Sequence, residues 1–182
     1  SFKKIFDLCE RIGAVAWHIF LLVPTGRAAQ LGAEVITGQE YEDVLNWFYD
    51  FRKTTSMHLK ATCAPHYYRI MRQRAKAEVV PVTPENFGLD AMTRGCLGGT
   101  GFCFISHTGQ VQPCGYLELD CGNIRATSFP EIWRSSKQFK QFRTQEEYEG
   151  KCGVCEYHKV CGGCRARAHS MDHNYMGEEP LC

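Results

Sequence analysis

Cys152-Gly-Val-Cys155-Glu-Tyr-His-Lys-Val-Cys161-Gly-Gly-Cys164 places four thiols within thirteen residues, with no apolar run between them to build a core. Thiolates that close repel one another unless a metal cation or an iron–sulfur core lies among them. The segment therefore reads as a ligand set, and ligand binding decides the local fold. The chain holds 11 cysteines, and Cys96, Cys103, Cys114, Cys121 and Cys182 join the block in supplying thiols for two four-cysteine sites. An odd count with two-residue gaps suits metal sites better than a disulfide framework and points to a cytoplasmic protein. Four close cysteines also fit structural zinc, so a non-catalytic zinc-binding module stays open.

The rest of the composition is that of an ordinary globular protein. At 182 residues, 44% hydrophobic and 23% charged, the chain can bury one or two cores without bridges. A net charge of +1, with both signs interleaved, excludes an electrostatic nucleic-acid or membrane surface, and no apolar run approaches the ~18 residues of a membrane span.

Upstream of the cysteines the pattern is α/β. Phe2, Ile5, Leu8, Cys9 and Ile12 recur at helical spacing up to Gly13, directly from Ser1, as in a chain whose upstream part is missing. Val15 to Val23 reads as a strand buried on both faces, with His18 packed inside it. Thr37-Gly-Gln-Glu40 is a capping box ahead of Tyr41, Val44, Leu45, Phe48 and Phe51, which predicts an amphipathic helix. A short strand from Ser56 to Ala61 follows, then a helix opened by Pro65. Helices alternating with strands predict a parallel sheet or barrel, whose ligands sit at the C-terminal strand ends, at Thr25, Gly26 and Arg27 and again at Cys63 to Arg69. From Glu78 prolines and glycines mark an irregular connector, and a boundary near residue 84 divides the chain into 1–83 and 84–182. Beyond it, residues 102–114 predict a β-hairpin with a glycine turn, and Ser128 caps a helix through Ile132, Trp133 and Phe139.

The cysteine pattern resembles the SPASM-type auxiliary-cluster domain of radical S-adenosylmethionine enzymes. Cys96 is followed by twelve residues, Gly109, four residues and Cys114; Cys152, Cys155 and Cys161 match the later block, and Cys182 closes it. One departure is the gap from Cys161 to Cys164, two residues where the family has three. The resemblance implies the C-terminal part of a partial (β/α) radical SAM barrel over 1–83, then a small cysteine-rich α+β auxiliary domain. Its ligand sorting implies one [4Fe–4S] cluster on Cys96, Cys103, Cys114 and Cys164 and a second on Cys152, Cys155, Cys161 and Cys182, or the second alone. Cys9 and Cys121 are left as spare buried thiols. The C-x3-C-x2-C triplet that holds the SAM-cleaving cluster in such enzymes does not occur in this sequence. The resemblance therefore implies that this cluster belongs to an N-terminal part and that the fragment alone is inactive.

Within that family the tetrapyrrole-modifying group of heme biosynthesis is the nearest. The resemblance rests on Leu22-Val-Pro-Thr-Gly-Arg27, Cys63-Ala-Pro-His-Tyr-Tyr-Arg69, Gly101 to Gly109 and Cys161 to Ala168. It implies oxidative decarboxylation of two propionates of Fe-coproporphyrin III to vinyls, with S-adenosylmethionine as cofactor, an iron-tetrapyrrole as substrate and an electron-donor protein as partner. Deacetylation of didecarboxysiroheme, heme d1 biosynthesis and peptide modification are its alternatives. Arg27 and Arg69 are the expected propionate partners, His66 an iron ligand or carboxylate donor, and Thr25 and Gly26 the cofactor contacts.

Overall fold

The computed structural model describes residues 2–182, so Ser1, the first residue of the expected 1–83 unit, lies outside the described residues. Helix α1 (Phe2–Arg11) ends where Gly13 takes a positive φ, and strand β1 (Ala16–Phe20) follows. A 3-10 turn over Gly26–Glu34 leads to α2 (Gly38–Phe51), whose capping box forms as the sequence predicts: the Glu40 N–H donates to the Thr37 hydroxyl and the Thr37 N–H to the Glu40 carboxylate. Strand β2 (His58–Thr62) and helix α3 (His66–Ala77) complete the pattern. The strands pair in parallel, Ala16 opposite His58 through Phe20 opposite Thr62. Tyr41, Leu45 and Phe48 of α2 and Ile70 and Met71 of α3 are buried against the underside of this pair, in a core that also takes Trp17, Ile19, Leu59 and Phe87.

The expectation of a strand buried on both faces is corrected. Burial alternates along β1: Trp17 and Ile19 are buried, while Ala16, His18 and Phe20 are exposed. His18 is thus not a packed core residue; it stands beside His58 on the open face, ring centroids 6.1 Å apart. That face continues through Lys60 and Thr62 into the large cavity described below.

A short helix, α4 (Pro84–Phe87), begins the connector. Strands β3 (Phe104–Ile105) and β4 (Gln110–Gln112) form the expected antiparallel hairpin, turned at Gly109, and β5 (Gly122–Asn123) pairs on the far side of β4. The helix expected through Phe139 is broken into α5 (Phe129–Ser135) and α6 (Lys137–Arg143), because Ser136 adopts an extended ψ of 132°. Ser128 makes no side-chain cap. The cysteine block spans α7 (Gly150–Val154), a loop, and the start of α8 (Arg165–Asp172). The fold is thus mixed α/β: one α/β unit with a parallel strand pair, followed by a loop-rich part with small antiparallel strands. No helix among the described residues is long and apolar enough to cross a membrane.

Candidate metal centre

Arg167 joins the two parts of the molecule. Fully buried at 0% exposure, it faces both carboxylate oxygens of Glu179 at 3.2 Å. It also donates to the carbonyls of Leu22 at 3.1 Å and Cys63 at 2.9 Å, which lie just past the ends of β1 and β2. Glu179, likewise buried, meets His66 Nδ1 at 3.2 Å, and the same nitrogen lies 3.2 Å from the Tyr41 hydroxyl. The C-terminal ends of both strands are thereby fastened to the cysteine-rich part, and the thiols gather there.

They gather in two places. Cys152, Cys155, Cys161 and Cys182 line one small cavity with His66, Arg69 and His158. Hydrogen-bond donors surround their sulfurs: the Glu179 N–H reaches Cys152 Sγ at 3.4 Å, Arg165 Nη2 the same atom at 3.2 Å, and the Tyr157 N–H reaches Cys155 Sγ at 3.3 Å. Burial pushes the Cys161 thiol up to about 12, against the lowering effect of the Gly163 N–H. His66 Nε2 is buried in this neighbourhood without a partner. Donors aimed at sulfur are what a bound thiolate set requires.

The second gathering lines a cavity of about 680 Å³ that opens from the free face of β2. Cys96, Cys114 and Cys164 lie on it, as does Cys63. Burial raises the Cys96, Cys114 and Cys164 thiols and pushes Cys63 up to about 12, while the nearby N–H groups of Gly98 at Cys96 and of Tyr116 and Leu117 at Cys114 act in the lowering direction. Cys103, expected here, is elsewhere: it packs with Val111, Cys121, Ile132 and Phe139 behind the β3–β4 hairpin. Cys121 is buried, as expected of a spare thiol, and Cys9 is half-buried against the first core.

The short gap between Cys161 and Cys164 is accommodated by its two glycines. Gly162 and Gly163 both adopt left-handed backbone, φ +70° and +63°, a conformation that costs side-chain-bearing residues about 1–2 kcal/mol each. The reversal lets two thiols only three positions apart serve different cavities, Cys161 the first and Cys164 the second. The sequence signal was present in Gly162-Gly163, since paired glycines permit such a reversal.

The remaining predicted residues fare differently. Arg69 is engaged by the Glu42 carboxylate at 2.5 Å and lies against the first thiol cavity, away from the large one. His66 is likewise buried beside the first set, with its imidazole pushed down to about 4 by burial, against the pull of Glu179; it is not placed as a ligand in the large cavity. Arg27 is exposed in the turn after β1 and lines neither thiol cavity, and Thr25 and Gly26 lie beside it. Sequence reasoning missed Lys60 and Arg94, two cations on the large cavity with no ion pair among the described residues. Alternation along β2 could have found Lys60.

A single zinc ion holds four thiolates with sulfurs about 4 Å apart. Among the described residues no three His, Cys, Asp or Glu side chains converge to hold one ion. A cluster core is wider and takes thiolates from more widely spaced positions, so the donor-rich cysteine sets fit that group better.

The SPASM family, an iron–sulfur cluster-binding domain, matches residues 96–165. Along the whole chain, the AdoMet-dependent heme synthase of Nitratidesulfovibrio vulgaris is 83% identical over 182 residues, which is 50% of that protein. Residues 96–165 thus match the SPASM domain, and the chain as a whole is similar to a heme synthase. The AdoMet-dependent heme synthase of Methanosarcina barkeri is 52% identical over 179 residues, 98% of this chain and 51% of that one. The pre-heme d1 synthase of Dinoroseobacter shibae is 32% identical over 92 residues, 48% of this chain and 23% of its own length. The chain thus spans about half the length of the curated relatives it matches most fully. No solved structure matches it.

Proposed function

We propose that this chain is part of a radical SAM enzyme that converts two propionates of Fe-coproporphyrin III to vinyls, giving heme b. The observation that carries the reading is coverage. Heme synthases match the α/β unit and the thiol-rich part together, over 98% of the chain or more, whereas the pre-heme d1 synthase matches 48%. The α/β unit includes the cavity-facing strand that a substrate would meet.

In this reading residues 1–83 are the closing βα units of a partial radical SAM barrel and 84–182 the auxiliary domain. Each propionate loses a hydrogen atom from its β-carbon, then carbon dioxide and one electron, and is left as a vinyl. S-adenosylmethionine supplies hydrogen-atom abstraction and the iron–sulfur clusters supply one-electron transfer. Thr25 and Gly26, at the exit of β1, are the proposed cofactor contacts. Cys152, Cys155, Cys161 and Cys182 hold one auxiliary cluster, and Cys96, Cys114 and Cys164 contribute to a second. The large cavity, within the range of ligand sites, takes the edge of the macrocycle. Lys60 and Arg94 hold its carboxylates there in place of Arg27 and Arg69, while Phe102 and Tyr116 offer apolar surface to the ring. Cluster thiolates persist in a reducing compartment, so a cytoplasmic location and a soluble electron-donor protein suit the chemistry.

The test is anaerobic incubation of the protein, joined to a domain bearing C-x3-C-x2-C, with Fe-coproporphyrin III, S-adenosylmethionine and a reductant. Heme b is the expected product, and unchanged propionates overturn the assignment.

A further inference from the structure

The family pattern names Cys103 as the fourth ligand beside Cys96, Cys114 and Cys164. The structure puts a different thiol with those three. We propose that Cys63, at the exit of β2, is the fourth thiolate of this auxiliary cluster and that Cys103 is not a ligand. The inference rests on the reading above that Cys96, Cys114 and Cys164 hold a cluster.

Two independent features point to it. The first is position: Cys63 lines the same cavity as the three other thiols, and packs with Cys114 and Cys164 around Val23 and Leu117, whereas Cys103 is absent from that cavity and packs with Cys121 in a separate apolar group. The second is backbone geometry. Cys63 has φ +56°, in the left-handed region that a residue with a side chain occupies at a cost of about 1–2 kcal/mol. Such a conformation persists only where the surroundings enforce it. Here the Cys63 carbonyl is gripped by Arg167 Nη2 at 2.9 Å, and the Tyr41 hydroxyl reaches it at 3.4 Å. Arg167 is itself fixed by Glu179. A buried arginine, a buried carboxylate and a strained turn thus hold one cysteine at the mouth of β2, immediately before α3 begins.

The consequence is architectural and chemical. A cluster held by Cys63 would be bound jointly by the α/β unit and the thiol-rich part, and its binding would fix the two against each other. It would also lie one residue from Thr62 and three from Lys60, on the wall where the substrate is proposed to sit.

The full chain is reconstituted anaerobically with iron and sulfide, and iron, labile sulfide and electron paramagnetic resonance spectra are recorded for Cys63→Ala, Cys103→Ala, Cys96→Ala and Cys155→Ala. Cys63→Ala is expected to match Cys96→Ala, each losing about half of the iron and sulfide or converting that cluster to a three-iron form. Cys103→Ala is expected to retain the wild-type content. Depletion in Cys103→Ala with full content in Cys63→Ala overturns the proposal. Full content in Cys96→Ala, with loss in Cys155→Ala, overturns the underlying reading of this thiol set instead, and the proposal with it. A measurement on the unaltered chain guards against misfolded variants: alkylation before and after iron chelation. Cys63 is expected to be protected in the loaded chain and reactive once stripped, in step with Cys96, Cys114 and Cys164, while Cys103 reacts equally in both states. Equal reactivity of Cys63 in the two states overturns the assignment.

Discussion

Replacing Arg167 by Met should cost more stability than any other single change outside the cysteines. The guanidinium is fully buried, pairs with the equally buried Glu179, and satisfies the carbonyls of Leu22 and Cys63. Removing one partner of a buried ion pair costs about 3–5 kcal/mol, and each buried carbonyl left without its donor adds about 1 kcal/mol. The sum, about 5 kcal/mol after partial relaxation, rivals the entire stability of many domains. With a urea dependence of about 2 kcal/mol per M, the unfolding midpoint should fall by about 2.5 M. Circular dichroism follows the backbone and visible absorbance the clusters, and both transitions should move together, because the same residue pins Cys63. The companion is the double variant Arg167→Met with Glu179→Leu. It removes the stranded carboxylate and should regain about 2 kcal/mol over the single variant. A single variant within about 1 kcal/mol of wild type would refute the view that this arginine fastens the strand ends to the cysteine-rich part.

Gly163→Ala places a methyl at φ +63°, against the Arg165 guanidinium and 2.9 Å from Glu179 Cβ, and should lower stability by about 2 kcal/mol or more in thermal melts, whereas an exposed glycine such as Gly32 tolerates alanine. Leu45→Ala, at a fully buried position of α2, should cost about 2–5 kcal/mol by cavity formation, measured by urea unfolding. Lys60→Met and Arg94→Met should each weaken tetrapyrrole binding about tenfold, read by spectral titration, with iron content unchanged. His66 is held down to about 4 by burial, so below about 6.5 the unfolded chain takes up a proton that the folded chain refuses. Stability of the iron-free chain should therefore be full above that pH and decline by about 3 kcal/mol as pH falls toward 4. A flat melting profile across that window would contradict the burial argument.

Local signals carried much of the fold. The capping box at Thr37 and the stripe from Tyr41 to Phe51 define α2 because both lie within one helix, where spacing alone settles the face. The parallel pairing of β1 with β2 followed from the alternation of helix and strand. Burial of β1 did not follow, because an apolar residue on an open strand face reads the same in sequence as one packed in a core; Phe20 is exposed while Ile19 is buried. The site divides along the same line. Closely spaced cysteines announced Cys152, Cys155 and Cys161, whereas Cys63 joins Cys164 across more than a hundred residues through Arg167, and no spacing encodes that. Arg69 looked available in sequence, but Glu42 on the neighbouring helix engages it.

The most direct measurement is the amount of iron and acid-labile sulfide bound per chain after anaerobic reconstitution. Two four-cysteine sets predict about eight of each, with the broad visible absorbance of iron–sulfur charge transfer, falling to about four when Cys155 is replaced by Ala. A colourless chain that binds zinc and no sulfide would contradict the account.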